Sequence, residues 1–202
     1  LHVLLTRTGE FATRHLFDQQ RLRQLSKHQV LINTSRGDVI DNKALLERVC
    51  SGFEPTLILD VWENEPNIDT QLLPFTAIAT PHIAGYSLEG KANGTEILYR
   101  ALCEQLGAPA TKKVSQFLPP AVVDTIQINA ELNQNLVKSL VHLVYDVRRD
   151  DLLFRKEIDQ PNGFDLMRKN YRERREFSTL TVSLGADQDA HLLSALGFTV
   201  AH

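Results

Sequence analysis

The sequence predicts an α/β protein in which a parallel sheet is followed by a smaller α+β domain. Over the first hundred residues, short apolar runs alternate with amphipathic stretches, a rhythm typical of β-α-β units. At residues 107–120 the rhythm stops in a stretch with three prolines and two lysines. We therefore predict a first domain at residues 1–107, a linker at 108–120 and a second domain at 121–202.

The apolar runs of the first domain predict four strands, at residues 1–5, 30–33, 56–60 and 77–80. The amphipathic stretches predict helices at residues 18–27, 42–50 and 88–106. Asp41 and Ser87 precede the second and third of these helices, and each is expected to accept hydrogen bonds from the first free N–H groups. Gly52 is expected to end the second helix.

The second domain is predicted to contain strands at residues 122–128 and 180–184 and helices at 131–148, 165–177 and 190–196. The helix at 131–148 has the strongest apolar stripe, formed by Leu136, Leu140, Leu143, Val144 and Val147. Part of the stripe can pack on the domain's own strands, and the rest is expected to meet a second copy across a two-fold axis. The pattern therefore predicts a homodimer held by the C-terminal domain.

The composition favours a cytoplasmic protein without a nucleic-acid or membrane partner. The net charge is −3, and no apolar stretch approaches the roughly 20 residues that a membrane span requires. No signal-peptide pattern opens the chain. Cys50 and Cys103 belong to no Cys-x-x-Cys pair, so we expect two reduced, packed thiols and no metal.

One basic stretch, at residues 168–175, has five basic residues against one acid and an interleaved tyrosine. Such a stretch can bind nucleic acid. We favour a solvated helix face at or near a dimer interface, because charged helix faces are usually exposed to solvent.

The residues with the clearest chemistry are Arg36, Glu65 and His82, and each follows a predicted strand. Carboxyl ends of parallel strands meet at one sheet edge, where ligands bind. Arginine can hold a carboxylate with two parallel hydrogen bonds, and histidine can exchange a proton near neutral pH. A carboxylate beside the histidine fixes its tautomer and stabilises its charged form. The trio suits hydride chemistry on a 2-hydroxy acid, although singly each residue fits a surface ion pair, a solvated loop or a turn histidine.

The segments around these residues resemble the NAD-binding, Rossmann-type domain of the D-isomer-specific 2-hydroxyacid dehydrogenases, from partway through that domain onward. The matching pieces are residues 2–6, residues 30–41 with Ala44-Leu45, Leu59-Asp-Val-Trp62 with Glu65-Pro66, and residues 80–84. Leu4 stands where family members usually have proline. The resemblance implies Arg36, Glu65 and His82 as catalytic residues and NAD as cofactor. It also implies four cofactor-binding residues (Thr34, Asp60, Gly85 and Val3) and two substrate-binding residues (Tyr86 and Arg36).

Residues 112–202 resemble an extra dimerisation domain of one branch of this family, including Leu118-Pro-Pro120 and residues 197–200. The resemblance implies a small phosphorylated hydroxy acid as substrate and a role in pyridoxine 5′-phosphate biosynthesis. The segment at residues 85–90 differs from phosphoglycerate and glyoxylate/hydroxypyruvate members, which stay as alternatives. A non-catalytic dimerising scaffold is a further alternative, and the Tyr86 ring can equally be one that packs at a helix start.

No Gly-x-Gly-x-x-Gly loop occurs in the 202 residues, and neither does the acidic residue that reads the adenosine ribose. We therefore expect the chain to be the latter part of a dehydrogenase and to have no turnover alone. For the substrate phosphate, Arg7 and Arg14 are the candidate ligands within this sequence.

Overall fold

The computed structural model describes residues 1–53, 55–185 and 190–201. The chain divides into two compact units, and each draws on two stretches of sequence. The first unit contains Leu1–Ala84 and Val147–Tyr171, and the second contains Gly85–Asp146 and the residues from Arg172 onward. This division differs from the predicted linear order of domains, because two late helices supply part of the first unit's core.

The first unit is built on a three-stranded parallel sheet of order β1-β2-β3, with β1 at Val30–Asn33, β2 at Thr56–Leu59 and β3 at Thr76–Ala79. The strands predicted at 30–33, 56–60 and 77–80 are therefore confirmed to within one residue. Because neighbouring strands are parallel, the loops that follow all three start at the same sheet edge.

The strand predicted at residues 1–5 is wrong. Leu1 reaches the sheet, where its backbone nitrogen contacts the Ile32 carbonyl of β1 and its side chain packs against the core. Threonine side chains bind the rest of the segment into a turn, since Thr13 Oγ1 donates to the Leu4 carbonyl at 2.6 Å and accepts from the Thr6 N–H at 2.8 Å. These local bonds replace a strand ladder.

Two helices of the first unit begin at side-chain caps, and the one at Asp41 was predicted. Asp18 accepts from the Arg21 N–H and begins α1, at Gln19–Gln24, which ends three residues earlier than predicted. Asp41 accepts from the Ala44 N–H at 2.9 Å and begins α2, at Asn42–Cys50. Gly52 follows with φ +86°, a left-handed conformation that favours glycine.

The helix predicted at 131–148 is broken at Tyr145, whose extended backbone (φ −152°) ends the helix Gln134–Val144. A separate helix, Val147–Glu157, belongs to the first unit, as does Gly163–Lys169. The second of these helices is the one predicted at 165–177, so that prediction was too long. An apolar stripe shows that one face of a helix is buried, but it does not show against which of the two cores that face packs.

The helix Val147–Glu157 closes the free edge of β3. Phe154 is fully buried, with its ring 5.7 Å from the Trp62 ring. The Asp151 carboxylate accepts from the Ala79 N–H at 2.7 Å, and Arg155 donates to the Thr76 carbonyl at 2.9 Å. Covered edges cannot pair with other strands, so these contacts complete the sheet.

The second unit contains a smaller parallel sheet of order β4-β5-β6. Its strands are β4 at Thr125–Gln127, β5 at Thr181–Ser183 and β6 at Thr199–Ala201. Its helices α3, α4 and α7 lie at Leu88–Gln105, Gln134–Val144 and His191–Ala195, and the two first-unit helices between them are α5 at Val147–Glu157 and α6 at Gly163–Lys169. The predictions located β4 and β5 and the three helices of this unit but missed β6. Within the predicted second domain at 121–202, residues 186–189 and 202 lie outside the described residues.

Two arginines of the second unit contradict the solvated helix face predicted at residues 168–175. Arg174 is buried, with its guanidinium 4.6 Å from the centre of the Tyr145 ring. Arg175 Nε donates to Glu89 Oε1 at 2.6 Å. The prediction was wrong here because α6 ends at Lys169, so these arginines lie beyond it.

Helix α3 begins at the predicted cap, with Ser87 Oγ accepting from the Gly90 N–H at 3.1 Å. In the middle of α3, Glu96 accepts from the Val114 N–H at 2.6 Å and pairs with Arg100. These hydrogen bonds lower the pKa of Glu96 from its usual value. Among the described helices, none is both long and apolar enough to cross a membrane.

Candidate active site

His82 and Glu65 form a direct pair at the carboxyl edge of the first unit's sheet. His82 Nδ1 lies 2.7 Å from Glu65 Oε2, and Glu65 Oε1 accepts from the Trp62 N–H at 2.8 Å. An ionised carboxylate can only accept, so this contact favours the neutral imidazole tautomer with its proton on Nδ1 and its lone pair on Nε2. Both side chains are partly exposed, at 27% and 19%. The pair has the arrangement of an oriented base.

The backbone at His82 is held in an uncommon conformation, with φ +55°. The His82 N–H donates to the Asp60 carbonyl at 2.6 Å. The buried Asp60 carboxylate fixes the residues on either side, because it accepts from Thr80 Oγ1 at 2.6 Å and from the Ile83 N–H at 2.8 Å. A non-glycine residue with a positive φ costs roughly 1–3 kcal/mol of folding free energy. Such a residue persists where the surrounding structure fixes its conformation, often at functional sites.

Arg36 and Thr34 follow β1, and both are exposed. Within the described residues, the hydrogen bond of the Arg36 guanidinium goes to the Ser35 carbonyl, at 2.6 Å, and none goes to Glu65 or His82. The ends of β1 and β3 are separated by two strand spacings, about 10 Å, with the end of β2 between them. The structure therefore brings Glu65 and His82 together. Arg36 lies at the same sheet edge, after the neighbouring strand β1.

Gly37 brings the loop after β1 against the loop after β2. A Cβ atom at this position would lie 1.9 Å from both the carbonyl carbon and the oxygen of Trp62. Only glycine allows this approach, so the loop carrying Arg36 and the loop carrying Glu65 are packed backbone to backbone. Gly37 lies in the family-like segment at residues 30–41, where no local pattern signals this contact.

A second histidine–carboxylate pair was missed. His15 Nε2 lies 2.6 Å from Glu63 Oε1, and His15 Nδ1 lies 3.7 Å from Asp41 Oδ2. One ligand atom from each of these three residues lies within 4.8 Å of the others, as in some metal sites. The two carboxylates already accept backbone hydrogen bonds. Glu63 accepts from the Asn42 N–H, and Asp41 accepts from the Ala44 N–H. No local pattern could signal this pair, because its members are 48 residues apart.

The remaining predicted site residues are Val3 in the first unit and Gly85 and Tyr86 in the second. Val3 is half-buried in the irregular first segment. Gly85 and Tyr86 belong to the second unit, where Lys91 Nζ lies 4.2 Å from the centre of the Tyr86 ring. Their cofactor and substrate roles stay predictions, as does that of Asp60.

The two arginines considered for the substrate phosphate share one acidic neighbour. A side-chain nitrogen of Arg7 and one of Arg14 each lie 3.8 Å from an Asp38 carboxylate oxygen. All three side chains are partly or largely exposed to solvent. A phosphate would therefore compete with Asp38 for both guanidinium groups.

Residues 2–84 match the family model described as the D-isomer specific 2-hydroxyacid dehydrogenase, NAD binding domain. This part of the chain is therefore similar to the NAD-binding domain of the D-isomer-specific 2-hydroxyacid dehydrogenases. The predicted resemblance and the Rossmann-type parallel sheet are confirmed. Residues 117–197 match a second model, described as a domain of unknown function (DUF3410).

Similar proteins include the erythronate-4-phosphate dehydrogenase of Psychromonas ingrahamii, which is 53% identical over 199 residues, covering 98% of this chain and 52% of the relative. The erythronate-4-phosphate dehydrogenase of Tolumonas auensis is 51% identical over 200 residues, covering 99% of this chain and 53% of the relative. The chain spans about half the length of the curated relatives that it matches. Among solved structures, a 2-hydroxyacid dehydrogenase from Ketogulonicigenium vulgare Y25 is 29% identical over 53% of this chain and 33% of that chain, with a TM-score of 0.42.

Proposed function

We propose that the whole protein containing this chain is an NAD-dependent dehydrogenase that oxidises 4-phospho-D-erythronate to 3-hydroxy-2-oxo-4-phosphooxybutanoate in pyridoxine 5′-phosphate biosynthesis. The observation that carries the proposal is the His82–Glu65 pair, at 2.7 Å, on the carboxyl edge of a parallel sheet. Relatives named erythronate-4-phosphate dehydrogenase support the choice of substrate.

The chain's own residues divide the chemistry between them. His82 Nε2 takes the proton of the substrate's C2 hydroxyl, and the Glu65 carboxylate stabilises the imidazolium that results. Arg36 binds the substrate carboxylate through its planar fork, and Tyr86 contacts the substrate. The proton thus goes to the imidazole, while the C2 hydrogen leaves as a hydride.

NAD, when bound, accepts that hydride. Its nicotinamide half would meet Thr34, which is exposed directly after β1, and Asp60 directly after β2, whose buried carboxylate already accepts from Thr80, Ile83 and Ala84. Val3 and Gly85 complete the proposed cofactor contacts. The 202 residues contain no glycine-rich phosphate loop, so we propose that the chain by itself has no turnover.

The test measures NADH formation by the complete protein with 4-phospho-D-erythronate, 3-phosphoglycerate and glycerate in parallel. We expect the highest kcat/KM with the phosphorylated four-carbon acid. A preference for either three-carbon acid would contradict the substrate, and no NADH formation with any of the three would contradict the activity.

We further propose that the protein is a cytoplasmic homodimer joined through the second unit. Cys50 and Cys103 are both free thiols, as is usual in the reducing cytoplasm. Val122, Val123 and Leu143 are exposed and line one surface depression of the second unit, which we propose as part of the dimer contact.

The dimer is tested by sedimentation of the complete protein. Leu143→Lys should convert it to a monomer, because a charge would be buried in an apolar contact. Lys138→Ala, on the same helix, is the control and should leave the dimer intact. A dimer that survives Leu143→Lys with Val122→Asp would place the interface elsewhere.

A further inference from the structure

Glu63 lies two residues before Glu65, and both of its carboxylate oxygens are engaged within the first unit. Oε1 lies 2.6 Å from His15 Nε2, and Oε2 accepts from the Asn42 N–H at 2.7 Å. The Glu63 N–H in turn donates to Asn42 Oδ1 at 3.2 Å. The backbone and the side chain of Glu63 are therefore both fixed to the start of α2.

The two partners of Glu63 are themselves held in place. Asn42 is the first residue of α2, where backbone N–H groups lack partners within the helix and attract a carboxylate. His15 has φ +51°, and its N–H donates to the Asp38 carbonyl at 2.7 Å. Glu63 thus joins the segment before α1 to the start of α2.

This anchoring bears on the candidate base, because Glu63 is part of the turn that carries Glu65. Trp62, on the other side of Glu63, donates its backbone N–H to Glu65 Oε1 at 2.8 Å and its indole N–H to the Thr80 carbonyl at 3.0 Å. We infer that Glu63, assisted by His15, is a positioning residue that holds this turn so that Glu65 meets His82 Nδ1. The inference rests on the proposed function only in taking His82 as the base.

The test uses NMR on the isotope-labelled complete protein at low temperature and needs no turnover. A hydrogen-bonded imidazole N–H gives a downfield proton resonance, and the one from His82 is assigned by its loss in His82→Gln. We expect Glu63→Ala to abolish this resonance and to speed hydrogen exchange of the Trp62 amide by about tenfold or more. Glu63→Gln should retain the resonance, because its amide oxygen still accepts from Asn42.

Two controls separate positioning from general stability. Glu10→Ala removes an exposed carboxylate elsewhere, and Val49→Ala truncates a buried side chain of α2. Both should keep the His82 resonance, although Val49→Ala lowers the melting temperature. Loss of the resonance in Val49→Ala would show that any destabilisation removes it, and this would overturn the positioning role.

Retention of the resonance in Glu63→Ala, with unchanged Trp62 exchange, would also overturn the inference. If Glu63→Ala does not fold, His15→Ala removes only one of the two holds and should still speed Trp62 exchange severalfold. Unchanged exchange in that variant would overturn the inference as well. Normal turnover in His82→Ala would instead contradict the proposed function and leave these NMR results standing.

Discussion

The first unit contains two histidine–carboxylate pairs of nearly equal length, 2.7 Å for His82–Glu65 and 2.6 Å for His15–Glu63. They differ in their second nitrogen. Within the described residues, His82 Nε2 has no hydrogen-bond partner, whereas His15 Nδ1 lies 3.7 Å from Asp41 Oδ2. A general base needs a lone pair that substrate can reach. The surroundings of the pair, rather than the pair itself, therefore distinguish a base from a structural link.

The largest effect should separate the two histidines by turnover. In the complete protein, we expect His82→Ala to lower kcat by about 100-fold or more, because the general base is lost. His15→Ala should lower kcat by less than about tenfold, because it only loosens a loop. The measurement is NADH formation at saturating substrate, and equal losses in both variants would remove the distinction.

The second largest effect is expected at Gly37, where the loop after β1 packs against the loop that carries Glu63 and Glu65. Gly37→Ala should destabilise the chain by about 1–3 kcal/mol, because the new methyl group would overlap the Trp62 carbonyl. Gly94→Ala, in α3, is the control; its Cβ would meet nothing within 4 Å, and alanine favours a helix by about 0.5–1 kcal/mol. Urea denaturation measures both, and a neutral Gly37→Ala would mean that the two loops separate at little cost.

The smallest effect compares the two acids. Glu65→Gln should lower kcat of the complete protein by about tenfold, because the imidazolium of His82 loses its charged partner. Glu63→Gln should leave kcat within about twofold, because it keeps the oxygen that accepts from Asn42. Steady-state kinetics measures both variants. A larger loss in Glu63→Gln than in Glu65→Gln would reverse the two assignments.

The contrast between the two pairs also shows what sequence alone can predict. β1, α2, β2 and β3 follow from local apolar runs and caps, and parallel pairing then places Glu65 and His82 at one edge. The His15–Glu63 pair depends on how distant loops pack, which no local period records. The break at Tyr145 has the same origin, because the apolar stripe continues in sequence while the chain passes from one core to the other.

The contacts that Asp151 and Arg155 of α5 make with β3, together with the buried Phe154, have a consequence for how the protein is made. The sheet that carries His82 is finished by residues found more than sixty positions later in the chain. During translation, the β3 edge of that sheet therefore stays exposed until α5 and α6 have left the ribosome. A chaperone that shields apolar surface would have its longest period of access in this interval, and a stop codon within it would release a half-built core.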